Sequence, residues 1–211
     1  MKKSSYYDFE IDVEELVTRS ALDDYFYLQD TKRRKFYLNG EINQFSVADI
    51  VRHILQMNSE DRDVPVGERK PITVYINSVG GEVDAGFELI DAIETSSTPV
   101  HTVVLGAAYS MAFLVSLAGH KRYAMPSAKF LMHDGSNVVF GTATKVQDQM
   151  EFQKRAEERT KAYVIGHSKL TPEEYDAKLR VEWYLFAEEA QEKGFVDFII
   201  GCDCVGLAEV V

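Results

Sequence analysis

Cysteine is scarce in this chain: Cys202 and Cys204 are the only two in 211 residues, separated by one residue. Cysteines that close rarely reach disulfide geometry, and no third Cys or nearby His completes a zinc set. They are expected to be free thiols in a reducing compartment, which points to the cytoplasm. Long apolar runs are also missing, since no stretch approaches the roughly 20 residues needed to span a bilayer. The start, from Met1 to Asp8, passes from Lys2-Lys3 into acidic residues without an apolar segment, so no signal peptide is expected. Positive charge is in deficit, with 23 basic against 34 acidic residues and a formal net charge of -11. That balance repels phosphate backbones and anionic lipid, so neither a nucleic-acid nor a membrane partner is expected. Internal repeats and low-complexity tracts are absent as well.

What remains is an ordinary globular composition, 45% hydrophobic and 27% charged, which does not read as disordered. Its length suits one sizeable core and is too short for two ordinary domains with a linker. Residues 1 to about 35 are acidic and aromatic, with Glu14-Glu15-Leu16-Val17 suggesting a short helix. A strand is expected at Lys35–Leu38, ending at Asn39-Gly40, and a helix over Ser46–Met57, where Val47, Ile50, Val51, Ile54 and Leu55 share a face. Asn58 to Lys70 is charged and reads as a loop. The β-branched run Ile72–Asn77 predicts a buried strand, broken by Gly80-Gly81 and followed by a helix that Pro99 ends. Val100–Leu105 and Lys129–His133 predict two more buried strands, with a helix over Ser110–Ala118. Thr142 to about His167 is a long, charge-rich helix that exceeds what a compact core requires. Thr171-Pro172-Glu173-Glu174 opens another helix, and Ala187–Lys193 and Phe195–Ile200 predict a last helix and strand. Strands alternating with helices predict a parallel α/β architecture.

Three windows carry possible chemistry. Gly106-Ala107-Ala108-Tyr109-Ser110-Met111-Ala112 lies between a buried strand and an apolar helix. A nucleophilic serine needs such a tight strand-to-helix turn with small neighbours, and Ala108 and Ala112 stand where α/β-hydrolases place glycine. The helix start would also aim free N–H groups at a developing oxyanion. A serine that merely caps the helix is the alternative. The second window, Ile76-Asn77-Ser78-Val79-Gly80-Gly81, closes a strand with paired glycines that allow close approach to a ligand. A phosphate loop fails there because Phe87, not Lys followed by Ser or Thr, comes after Gly86. A plain turn is the other option. The third window, Phe130-Leu131-Met132-His133-Asp134-Gly135, ends an apolar strand with a histidine that the core could hold while leaving it open to a site. Its alternative is a satisfied structural histidine.

In order and spacing these windows resemble the ClpP peptidase family, whose pattern runs Ser-Pro-Gly-Gly, then Ala-Ser-Met, then Met/Ile-His. The resemblance covers about residues 34 to 200 and includes Glu182-Trp183-Tyr184-Leu185-Phe186-Ala187-Glu188-Glu189-Ala190. It implies a ClpP/crotonase-like α/β fold of repeated β-β-α units, with the overlong helix as a protruding handle that interlocks two rings. It also implies a single peptidase domain over residues 35–211 and an N-terminal segment over 1–34 at an axial, gating position. By the same resemblance, Ser110 is the nucleophile and His133 its general base, while the backbone N–H groups of Gly80 and Met111 form the oxyanion hole. Glu182 stands where the family usually has the aspartate that orients the histidine. No cofactor or metal is implied. The partners implied are unfolded polypeptide substrates, further copies of the chain in stacked seven-membered rings, and a separate AAA+ unfoldase ATPase.

The departures from the pattern are Glu182 for Asp, Val79 for Pro, Tyr109 for a small residue and Ala112 for Gly. They motivate a second reading, a catalytically silent ring subunit that modulates an active partner. A crotonase-type enzyme that holds a thioester enolate is a third, although such sites need no aligned Ser-His pair.

Overall fold

The β-branched run from Ile72 to Ile76 is buried at every position, as a strand covered on both faces must be. In the computed structural model, which describes residues 19–136, 138–203 and 206, that run is the start of β2, Ile72–Gly81. It pairs in parallel with β1, Lys35–Ile42, on one side and β3, Val100–Tyr109, on the other. β3 is a forked strand. Its first half pairs in parallel with β4, Lys121–Ala124, and its second half, from Ala107 to Tyr109, with β5, Lys129–Met132. β7, Phe198–Ile199, adds to β4 in parallel, whereas β6, Trp183–Phe186, adds to β5 antiparallel. The parallel-dominated α/β sheet expected from the alternating pattern is thus present, with the antiparallel β5–β6 pair at the far edge of the fork.

Helices cover one face. α2, Gln44–Glu60, starts at an Asn43 capping box, and α3, Val83–Glu94, follows β2 directly. The short α4, Met111–Leu117, follows β3 and is almost wholly buried. Their apolar residues join Leu38, Val74, Ile76 and Val104 from the strands in the main core. The other face carries a smaller aromatic cluster of Tyr75, Val103, Tyr123 and Ile200. Beyond β5, the 24-residue α5, Ala143–Gly166, buries only Val164, so most of its length lies off the core. At 1.5 Å per residue it reaches about 36 Å, in keeping with the expected handle. α6, Pro172–Leu179, begins with Thr171 as cap and Pro at the first helical position, and α7, Ala187–Glu192, links β6 to β7.

Several differences from the sequence reading have local causes. β1 continues past Asn39 because Gly40 (φ 78°) absorbs a bulge and lets the ladder resume at Glu41. β2 and β3 run four residues further than the apolar runs, to Gly81 and Tyr109, since their ends also pair. α2 extends to Glu60 and a 3-10 turn, Val66–Glu68, occupies the expected loop. α1, Arg19–Lys32, and the strands β4 and β6 are additional to the elements expected from the sequence. Cys202 is an exposed free thiol, while Cys204, the Glu14–Val17 helix and most of the N-terminal segment lie outside the described residues. Among the described residues no helix is long and apolar enough to cross a membrane.

Candidate active site

The carboxyl ends of parallel strands are where open α/β sheets place ligands, because the chain there turns away and leaves a crevice. At the end of β3, Ser110 has φ 54° and ψ -123°, a left-handed backbone. A non-glycine residue held that way costs about 1–3 kcal/mol, which the surrounding packing has to over-determine. Ala108 and Ala112 are fully buried on either side, and the Ser110 N–H donates to the Leu131 carbonyl at 3.0 Å, tying the turn to β5. Ser110 occupies the cap position of α4, yet its side chain makes no cap hydrogen bond. The helix-cap alternative therefore does not account for this serine.

The end of β2 lies against the same turn. Gly80 has φ 96°, and a Cβ added there would sit 2.6 Å from the Tyr109 carbonyl oxygen, 2.8 Å from Ser110 Cβ and 3.0 Å from the Met111 N. Only glycine fits so close to the serine turn. The Met111 N–H stands at the first helical position, where it has no intrahelical acceptor. The Gly80 N–H donates to Ser78 Oγ at 3.1 Å, and that hydroxyl in turn donates to the Gly40 carbonyl. One of the two main-chain donors expected for an oxyanion is thus engaged by a hydroxyl of its own turn.

Strand register brings in the other two side chains. In the antiparallel β5–β6 ladder, Met132 faces Trp183. One step further, His133 faces Glu182, and its Nδ1 lies 3.2 Å from Glu182 Oε1. A carboxylate can only accept, so Nδ1 carries the proton and Nε2 of the neutral ring is left with its lone pair. That Nε2 is buried and has no hydrogen-bond partner among the described residues. Parallel pairing of β3 with β5 sets Tyr109 beside Leu131, which puts Ser110 and His133 on neighbouring strand ends. Nδ1 of His53 and of His167 is instead tied to a main-chain carbonyl, with His167 Nε2 also 2.8 Å from Glu94 Oε1, and His120 Nδ1 accepts from the Val100 N–H. Of the other acids considered, Asp176 is held by Lys161 Nζ at 2.7 and 2.8 Å.

Sequence reasoning missed Tyr184. Its hydroxyl donates to the second Glu182 oxygen at 3.0 Å, and this bond, ahead of any burial, holds the phenol above its ordinary pKa. Its ring meets the Tyr109 ring edge-on at 5.9 Å. Residues two apart on a strand share a face, so recognising β6 as a strand would have exposed the link. Among the described residues no cluster of three or more His, Cys, Asp and Glu side chains is placed to hold a metal.

Comparison with known proteins agrees with the windows. The profile of the Clp protease family matches residues 19–203. The ATP-dependent Clp protease proteolytic subunit 1 of Streptomyces avermitilis is 33% identical over 186 residues, covering 86% of this chain and 82% of that relative. These matches support a Clp-type protease role. By the extent of both, the chain belongs to the Clp protease family.

Proposed function

We propose that the chain is a serine endopeptidase subunit that cuts unfolded polypeptides, with Ser110, His133 and Glu182 as its catalytic residues. The observation that carries this reading is the pairing of a strained serine, whose hydroxyl does not cap its helix, with a histidine on the neighbouring strand end. The histidine's proton-accepting nitrogen is buried and has no hydrogen-bond partner among the described residues, Ser110 included. Catalytic hydrogen bonds are commonly loose before substrate binds and tighten in the complex.

In this mechanism the Ser110 hydroxyl attacks the scissile carbonyl carbon as its proton passes to His133 Nε2. The tetrahedral oxyanion takes the N–H groups of Met111 and Gly80. Gly80 exchanges the neutral Ser78 hydroxyl for a charged acceptor, which is the stronger bond. Collapse breaks the C–N bond, and the imidazolium returns the proton to the leaving amine. Water then attacks the acyl-serine by the same route in reverse, and Glu182 holds the ring in its tautomer throughout.

The relative's description as the proteolytic subunit of an ATP-dependent protease supports a role as one subunit of an ATP-driven assembly. The chain would assemble with copies of itself into stacked rings in the cytoplasm, its domain spanning residues 35–211. A separate AAA+ unfoldase ATPase would feed it. A fluorophosphonate probe tests the chemistry directly, since an activated serine attacks its phosphorus, displaces fluoride and is left phosphonylated. Labelling of the full-length protein at Ser110, absent in Ser110→Ala, is the expected result. A wild type that stays unlabelled and cuts no unfolded substrate overturns the proposal.

A further inference from the structure

We propose that Tyr184 is a positioning residue that pins Glu182 against His133, an inference that rests on the peptidase reading above. Glu182 is the weak member of the constellation. Its side chain is 60% exposed, it meets His133 at 3.2 Å through one oxygen, and it lies one residue outside the β6 ladder. A glutamate also has one more rotatable bond than an aspartate, so more conformational freedom must be lost to hold it in place. An exposed ion pair of this kind orders its partners poorly by itself.

Tyr184 supplies what the pair lacks. From two residues along the strand its hydroxyl reaches Oε2 at 3.0 Å, while Oε1 faces the imidazole. Each carboxylate oxygen thus has its own partner, and rotation of the carboxylate away from His133 breaks two bonds instead of one. The Tyr184 ring is itself more than half exposed and is braced by the Tyr109 ring, edge-on at 5.9 Å. Tyr109 is the residue before Ser110. A continuous path of contacts therefore runs from Tyr109 through Tyr184 to the acid and the base. Two departures from the family pattern, the bulky Tyr109 and the longer Glu182, become one arrangement once Tyr184 joins them. The phenol's raised pKa keeps it protonated, and so a donor, well above neutral pH.

The test uses the rate of fluorophosphonate capture at Ser110 in the full-length protein, which needs no knowledge of the preferred peptide. Tyr184→Phe removes one oxygen from a surface ring and keeps the contact with Tyr109, so the fold is not at risk. Capture is expected to slow about tenfold, the weight of one hydrogen bond to a charged group. In a Glu182→Gln background the same substitution should cost no further rate. An equal loss in that background, or a single variant with the wild-type rate, would overturn the positioning role. A wild type that captures no probe would instead overturn the peptidase reading, so the two failures are distinct.

Discussion

Two non-glycine residues in the described chain have left-handed backbone, Arg34 (φ 60°) and Ser110 (φ 54°), and they stand at opposite ends of the parallel strands. Arg34 precedes β1. Its guanidinium makes a bidentate pair with Asp61 at 2.5 and 2.7 Å, and Asp61, at the end of α2, also accepts from the Thr98 hydroxyl at 2.8 Å. Both partners are largely buried, with side chains 17% and 8% exposed. The guanidinium beside it holds the Asp61 carboxyl below the usual carboxylate range. Ser110 follows β3, and its network is the reverse: a 3.2 Å contact, a carboxylate 60% exposed and a buried nitrogen without a partner. The first network joins the start of β1, the end of α2 and the turn before β3 with every acceptor filled. The second leaves open the one atom that a reacting hydroxyl would need. Strain at one end is thus tied down and at the other left available.

That contrast breaks most sharply at Glu182. Glu182→Gln keeps the shape but removes the charge that holds the imidazole, and fluorophosphonate capture should slow about 10³-fold, or about 4 kcal/mol. The figure is set below the roughly 10⁴-fold loss known for a buried catalytic aspartate because Glu182 is largely exposed. Thermal stability should stay within about 1 kcal/mol, as expected for a surface pair. Capture at the wild-type rate would point to a Ser-His dyad and remove the acid from the site.

At the other end the pattern inverts. Asp61→Ala strands a mostly buried guanidinium and should cost about 3 kcal/mol, the low end for breaking such a pair. A melting temperature lower by about 6–12 °C is the measurable result for a chain of this size. Capture at Ser110, measured well below that temperature, should stay within about twofold, since distant sites act independently. A large loss of capture would show that the two ends are coupled and would sink the division of labour argued here.

The sequence exposed these ends unequally. β2 and β3 were readable because Ile72–Ile76 and Val100–Leu105 are short, largely apolar runs rich in β-branched residues, as a covered strand requires. β6 was not, since Trp183–Phe186 is only four residues long and so short an apolar run shows no period that separates strand from helix. That one omission hid the link from Tyr184 to Glu182, a contact that exists only once the strand fixes which side chains share a face. Ser110 and His133 stood out because each terminates a buried run. The left-handed backbone of Ser110 could not be foreseen, because no glycine marks it and the close approach of Gly80 comes from a strand thirty residues earlier. The Arg34–Asp61 pair was equally invisible, as nothing in a charged segment distinguishes a buried aspartate from a solvated one.

The smallest effect concerns pH and separates the two ends by titration. His101, the second residue of β3, is partly buried beside Lys121 and His120, and burial first, then those two neighbours, push its pKa down to about 4. An unfolded histidine titrates near 6.5, so between about pH 6.5 and 4 the unfolded chain binds more protons than the folded one. Stability from this residue is therefore complete above about pH 6.5 and falls as the pH drops through that window. After discounting for the ring's contact with solvent, the loss at pH 4.5 should be about 1 kcal/mol. The Asp61 carboxyl is also depressed, but its contribution is lost only lower, below about pH 4 where an ordinary aspartate protonates. Acid destabilisation should thus come in two steps, both from the strand-start end. His101→Gln cannot titrate, so melting temperatures followed from pH 8 to about 2 should lose the upper step and keep the lower one. The pH profile of capture at Ser110, taken well below melting, should be unmoved by the same substitution. A profile that shifts with His101 would mean that protonation at one end of the sheet reaches the other.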